Sequence, residues 1–132
     1  MMVITKSPVV SQVTFELCED LSADGVVYGE IRYCPSLHCN AGLSVDEVVR
    51  AVARGLHRFH GYGLNPCFGN LGEPDRGAFY QIITALRDLG PRHAVEMAEL
   101  AAAHKGVKGR VVGFDLAGNE VTKAELAHEA PP

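Results

Sequence analysis

Two hydrophobic periodicities alternate along this chain, and that alternation constrains its fold more than any other feature. Three stretches, residues 25–33, 79–87 and 110–116, are rich in β-branched and aromatic residues and are bounded by Gly, Pro or Asp. Those are the signals of β-strands. Their apolar residues run consecutively instead of strictly alternating, which predicts strands buried on both faces or nearly so. Helical patterns separate them. The order helix, strand, helix, strand, helix, strand implies parallel strands joined by right-handed crossovers, and therefore an α/β fold.

The helices can be placed from their own chemistry. Val13, Phe15, Leu17 and Leu21 form a loose apolar stripe that stops at Asp24-Gly25. Ser44-Val45-Asp46-Glu47 is a capping box, in which the Ser44 hydroxyl and the Glu47 carboxylate can satisfy opposite free amides. The helix it opens carries Val48, Val49, Val52 and Leu56 on one face and reaches about Phe59. A third helix begins near Pro91, runs through Val95, Ala98, Leu100 and Ala101, and ends at Lys105-Gly106. Residues 61–78 are rich in Gly, Pro and Asn and read as a long loop or insertion. Residues 124–132 read as a tail, the start of another helix cut off by Pro131-Pro132. No internal repeat or low-complexity tract is present.

Composition excludes several classes. The net charge is 12 − 16 = −4, with 47% apolar and 21% charged residues, which suits a globular protein and not a disordered tail or a coiled-coil rod. No basic stripe suits a phosphate backbone, so nucleic acid is not expected as a partner. No apolar run approaches the ~20 residues of a membrane span, and the first residues lack the core of a secretory signal. Cys18, Cys34, Cys39 and Cys67 form no Cys-x-x-Cys pair and read as reduced thiols, which points to the cytosol. Cys34, His38 and Cys39 could suggest a metal site, but structural zinc usually takes two spaced ligand pairs. His57 and His60, three apart on a helix, read as a solvated face.

Two stretches resemble the adenosine deaminase family. Asp24-Gly25-Val26-Val27-Tyr28-Gly29-Glu30-Ile31-Arg32-Tyr33-Cys34-Pro35 is similar to the third barrel strand of that family, and Leu43 to Val49 to the helix start that follows it. Val111-Val112-Gly113-Phe114-Asp115-Leu116-Ala117-Gly118-Asn119-Glu120 is similar to the fifth strand and its loop, with Asn119 where the family usually has Asp. Ile82 to Arg87 fits the fourth strand. The resemblance covers about residues 10 to 125, one partial domain within 1–132. It implies part of an eight-stranded (β/α)8 TIM barrel, whose usual length is about 250 residues.

The implied activity is hydrolytic deamination of adenosine to inosine and ammonia by a zinc-activated water. The resemblance gives Gly118 a role in binding the purine through its backbone amide, where a side chain would obstruct a flat base; the other reading is a left-handed turn residue. Cys34 is a weaker candidate for a backbone contact to the nucleoside. Asp115, Asn119 and Glu120 line the same mouth, with helix capping as the expected role of Asp115 and Asn119. Glu30, Arg32 and Arg87 are expected to form structural ion pairs inside the barrel. The Ala117-Gly118 pair favours a nucleoside over a nucleotide or a free base.

The family's His-x-His, His-Ala-Gly-Glu, Gly-His and Asp-Asp motifs do not occur here, so no metal ligand or catalytic Glu is identified and the chain alone is expected to be inactive. Alternative readings are a non-catalytic binding or oligomerisation module, or a complementing half of a split barrel. Self-association through open sheet edges would suit either one.

Overall fold

A computed structural model describes residues 6–40, 42–61 and 78–120. Most of the expected loop at 61–78 and all of the tail at 124–132 lie outside the described residues. Helices α1 (Ser7–Ala23), α2 (Val45–His60) and α3 (Gly90–Ala103) alternate with strands β1 (Tyr28–Tyr33), β2 (Ala78–Leu86) and β3 (Val111–Ala117). The strands form one parallel sheet in the order β1-β2-β3. The α/β order and the parallel pairing expected from the sequence are therefore present. No helix among the described residues is long and apolar enough to cross a membrane.

Local chemistry sets the ends of α2. The Ser44 hydroxyl accepts the Glu47 amide at 3.1 Å, satisfying one free donor of the first turn. The Glu47 carboxylate accepts from the Ser44 hydroxyl at 3.3 Å, so the recorded contact is to the side chain and not to the amide a full capping box would use. At the other end Gly61 takes φ 76°, the left-handed cap that glycine adopts without strain.

The buried stripes differ from those expected. In α1 the buried residues are Val10, Thr14 and Cys18, spaced four apart, while Leu17 remains 38% exposed. Polar Thr14 is tolerated there because its hydroxyl donates to the Val10 carbonyl at 2.8 Å. In α3 the buried residues are His93, Met97, Leu100 and Ala101, and Val95 points outward. One core joins Val10 and Cys18 to Ala51, Val52, Leu56, Phe59 and Phe79. The second joins Val49 to Ile83, Ala85, Met97, Leu100, Ala101 and Val111. Burying a side chain the size of Phe59 or Phe79 contributes about 1.5–3 kcal/mol.

Only β2 is buried nearly throughout. β1 and β3 alternate between covered and exposed positions, because the helices lie against one face of the sheet and the other face is open. Gln81, fully buried on the helix side, is satisfied on three sides. It accepts from the Tyr33 hydroxyl at 2.5 Å and donates to the carbonyls of Val49 and Gly109 at 3.3 and 2.7 Å. That network ties β1, α2 and the start of β3 to the central strand.

The β2–β3 register shifts once. Gln81 lies opposite Val111, but Ile82 lies opposite Gly113, which leaves Val112 as an extra residue. Val111 therefore faces the helix core, while Gly113, Asp115 and Ala117 share the open face with Ile82 and Thr84. Phe114 and Leu116 face the helix layer yet stay 46% and 44% exposed, since no described element covers the outer flank of β3.

Candidate active-site mouth at the strand ends

In parallel α/β folds, ligand sites form where the carboxyl ends of the strands meet their loops. Three such ends converge here: Tyr33-Cys34 after β1, Leu86-Arg87 after β2, and Ala117-Gly118 after β3. Arg87 is not the last strand residue but the first of a 3-10 turn, Arg87–Leu89. Its guanidinium donates to the Gly118 carbonyl at 2.9 Å. Gly118 itself has φ 111°, and a Cβ there would stand 3.3 Å from the Arg87 amide nitrogen. Both facts demand glycine, one through conformation and one through space.

Cys34 is buried, and its Sγ lies 4.0 Å from Nε2 of His93 in the first turn of α3. The same nitrogen accepts the Leu86 amide at 3.1 Å, which makes it the unprotonated ring nitrogen. His93 therefore ties the ends of β1 and β2 to α3. The Cys34 carbonyl is already engaged by the Leu37 amide at 3.2 Å. The sequence reading overlooked His93; its one signal was a polar residue just inside a helix start on the buried face.

The expected ion pairs are arranged differently. Arg32 pairs with Asp115 at 2.9 Å, spanning the central strand past Ile82 and Thr84. Asp115 therefore serves Arg32 across the sheet, while the helix it was expected to cap lies outside the described residues. Glu30 accepts from the Tyr28 hydroxyl at 3.2 Å, and Arg87 has the Gly118 carbonyl as its recorded partner. Asn119 and Glu120 follow Gly118 on exposed backbone. Thr84, on the same row as Asp115, holds a buried hydroxyl with no hydrogen-bond partner among the described residues.

Burial controls the titration of the neighbouring groups. It pushes the Tyr33 hydroxyl well above its usual range, with the Cys34 thiol adding to the effect. It also raises the Cys39 thiol, helped by Cys34 and Glu47. In α1, burial pushes the Cys18 thiol up to about 11, against the opposing charge of Arg110.

The donor set does not fit the zinc that the resemblance implies. Cys34 faces His93, Cys39 donates to the Pro35 carbonyl at 3.4 Å, and His38 lies beside the Tyr33 ring. His57 bonds the Lys108 carbonyl at 2.7 Å and His60 accepts the Phe79 amide at 3.1 Å, so both are structural ties and not a solvated face. No group of three His, Cys, Asp or Glu that could hold a metal occurs among the described residues.

The family profile described as adenosine deaminase matches residues 1–130. An adenosine deaminase from Mycobacterium ulcerans is 44% identical over 109 residues, which are 83% of this chain and 27% of the relative. One from Mycobacterium avium is 41% identical over 120 residues, 89% of this chain and 29% of the relative. Among solved structures, a zinc-bound amidohydrolase from Burkholderia ambifaria has a TM-score of 0.68 at 17% identity, covering 88% of this chain and 28% of that one. That likeness shows the fold alone. The N6-mAMP deaminase of Arabidopsis also has a TM-score of 0.68, at 27% identity over 89% of this chain and 33% of that one. The chain thus spans under a third of the length of these relatives, and its open parallel sheet is consistent with part of their TIM barrels. From the profile match and the identities together, the chain belongs to the adenosine deaminase family.

Proposed function

We propose that this chain forms the purine-facing section of a hydrolytic adenosine deaminase, with Gly118 presenting its backbone amide to the base. The observation that carries this reading is the Gly118 geometry. The residue follows β3 at the mouth, its carbonyl is held by Arg87 at 2.9 Å, and it has no side chain to block a flat ring. Arg32 and Asp115 lie on the open face behind it and order that wall of the site. These residues bind and orient; no proton transfer is assigned to them, and the chain by itself does not turn adenosine over.

A nucleoside is favoured over a nucleotide by Ala117-Gly118 and by the mycobacterial relatives being named adenosine deaminases. The Arabidopsis relative named an N6-mAMP deaminase supplies the competing substrate class, a nucleoside monophosphate, for which AMP is the probe. Cytosol suits the free thiols of Cys18, Cys34 and Cys39.

The test is a titration of the isotopically labelled chain with adenosine and with AMP, followed by amide NMR. Adenosine is expected to shift the Gly118 and Asn119 amides, with AMP weaker. Unmoved amides, or preference for AMP, would overturn the assignment. Inosine formation by the chain with added zinc, at the rate of a complete deaminase, would overturn the inactivity.

A second reading rests on the sheet itself. Both β1 and β3 are edge strands with unpaired ladder groups among the described residues. A partner strand, from another copy or a complementing chain, would satisfy them. Light scattering decides it: a defined oligomer supports pairing, and a monomer removes it.

A further inference from the structure

A cleft of roughly 530 Å³ lies away from the mouth, walled by α2 and by the connection from α3 to β3. Its lining includes Arg50, Arg54, His57, His104, Lys105 and Lys108, and no acidic residue. Four of the chain's 12 Lys and Arg therefore converge on one hollow, in a protein whose net charge is −4. Asp46 answers part of this charge, pairing with Arg50 at 2.9 Å and with His104 at 2.6 Å. Against one such carboxylate stand four permanent cations, so the cleft keeps an excess of 4 − 1 = +3.

The wall is held in place by bonds that do not use the lysine side chains. His57 of α2 bonds the Lys108 carbonyl at 2.7 Å, and the Arg110 amide bonds the Gly106 carbonyl at 2.8 Å. Gly109 makes the turn possible: a Cβ there would lie 2.1 Å from the His104 carbonyl oxygen. The Lys105 and Lys108 side chains form no ion pair among the described residues, and both residues are exposed. Gathering like charges on a fixed wall is unfavourable unless an anion relieves the repulsion.

We propose that this cleft is a binding site for a small phosphorylated metabolite, its diphosphate group seated among Arg50, Arg54, Lys105 and Lys108. The cleft volume falls within the range of about 300–1,000 Å³ typical of small-molecule sites. Arginine offers paired donors to phosphate oxygens and lysine adds point charge. A long polyanion is disfavoured, because outside this hollow the chain is acidic. The site is separate from the purine mouth: none of its lining residues belongs to the ends of β1, β2 or β3 at Cys34, Arg87 or Gly118.

Isothermal titration of the full chain with pyrophosphate at low salt tests the proposal, with amide NMR to locate the ligand. Saturable binding that shifts the amides of residues 103–109 and leaves Gly118 unmoved is expected. Lys105→Ala/Lys108→Ala, which removes no side-chain hydrogen bond or ion pair among the described residues, is expected to weaken it by on the order of tenfold. Arg54→Ala gives a second reading, although it also removes a bond to Ser7. Absence of saturable binding, affinity unchanged in the double variant, shifts confined to Gly118, or tighter binding of a single-stranded oligonucleotide would each overturn the proposal. Adenosine binding at the mouth is read in the same spectra, so failure of one site is distinguishable from failure of the other.

Discussion

The guanidinium of Arg87 holds the carbonyl of Gly118 at 2.9 Å, joining the turn after β2 to the turn after β3. The contact is solvent-exposed, so its contribution to stability is small, while its effect on the orientation of the Gly118 peptide is direct. Arg87→Ala is expected to cost under about 1 kcal/mol in thermal unfolding. It should weaken adenosine binding by roughly fivefold, the loss of one hydrogen bond of about 1 kcal/mol. Amide NMR titration measures the second effect; an unchanged affinity would show that Gly118 is set by its own loop.

Gly118→Ala is more damaging, because it meets both restraints at once. Its φ of 111° disfavours any side chain, and the added Cβ stands 3.3 Å from the Arg87 nitrogen. A destabilisation of about 1–3 kcal/mol is expected from backbone strain, read by urea denaturation, together with loss of adenosine binding.

Gly55 lies in the middle of α2, where alanine would ordinarily add up to about 1 kcal/mol of helix stability. Here a Cβ would sit 2.6 Å from the Ser11 carbonyl oxygen and 2.6 Å from Thr14 Cβ, where α1 crosses α2. Overpacking costs about 1–3 kcal/mol and outweighs the propensity gain. Gly55→Ala is therefore expected to lower stability in chemical denaturation. A stabilised variant would mean that α1 can withdraw freely.

Cys18 predicts an alkaline weakness. Its folded pKa of about 11 lies above the ordinary thiol value of 9.0, so the folded state keeps a proton that the unfolded state releases. Its contribution is complete below pH 9 and is lost as pH rises toward 11. The loss reaches at most about 3 kcal/mol, at about 1.4 kcal/mol per pH unit. Cys18→Ala should show a flatter stability profile over that window than the parent protein.

Two polar contacts on opposite faces of the sheet should respond differently to mutation. The Arg32 and Asp115 side chains are 62% and 34% exposed, so Asp115→Asn is expected to change stability by less than about 1 kcal/mol. Gln81 is fully buried and serves three partners. Gln81→Leu would strand the Tyr33 hydroxyl and the Gly109 carbonyl, and each stranded group costs about 1–3 kcal/mol. Urea midpoints of the two variants give the comparison.

The alternation of elements was legible because periodicity and end chemistry agreed: Ser44 capped α2, Pro91 lay in the first turn of α3, and the strands were β-branched. Residue-level burial was less legible. Gln81 and His93 are buried polar residues with partners from elsewhere in the chain. Thr14 is buried with its hydroxyl on the Val10 carbonyl one turn earlier. Local sequence does not mark any of them as buried. Conversely, Val95 and Leu17 are apolar but face outward. Of the candidate site, Gly118 could be picked out from its motif, yet the Arg87 contact that fixes it spans 31 residues of sequence separation. The partner of Asp115 lies 83 residues away, which is why capping looked the simpler role.

Val112 shows how a single inserted residue sets the chemistry of a whole strand. In a regular strand side chains alternate sides, so one extra unpaired residue exchanges inside and outside for everything beyond it. Were Val112 paired in a regular ladder, the step that places Val111 against Met97 and Leu100 would send Asp115 to the same apolar side and leave Arg32 facing no carboxylate. The extra valine is thus a parity switch: it lets one strand set Val111 in the core and Asp115 on the open face. The same strand without the bulge would bury the charge and turn Phe114 and Leu116 to the open face.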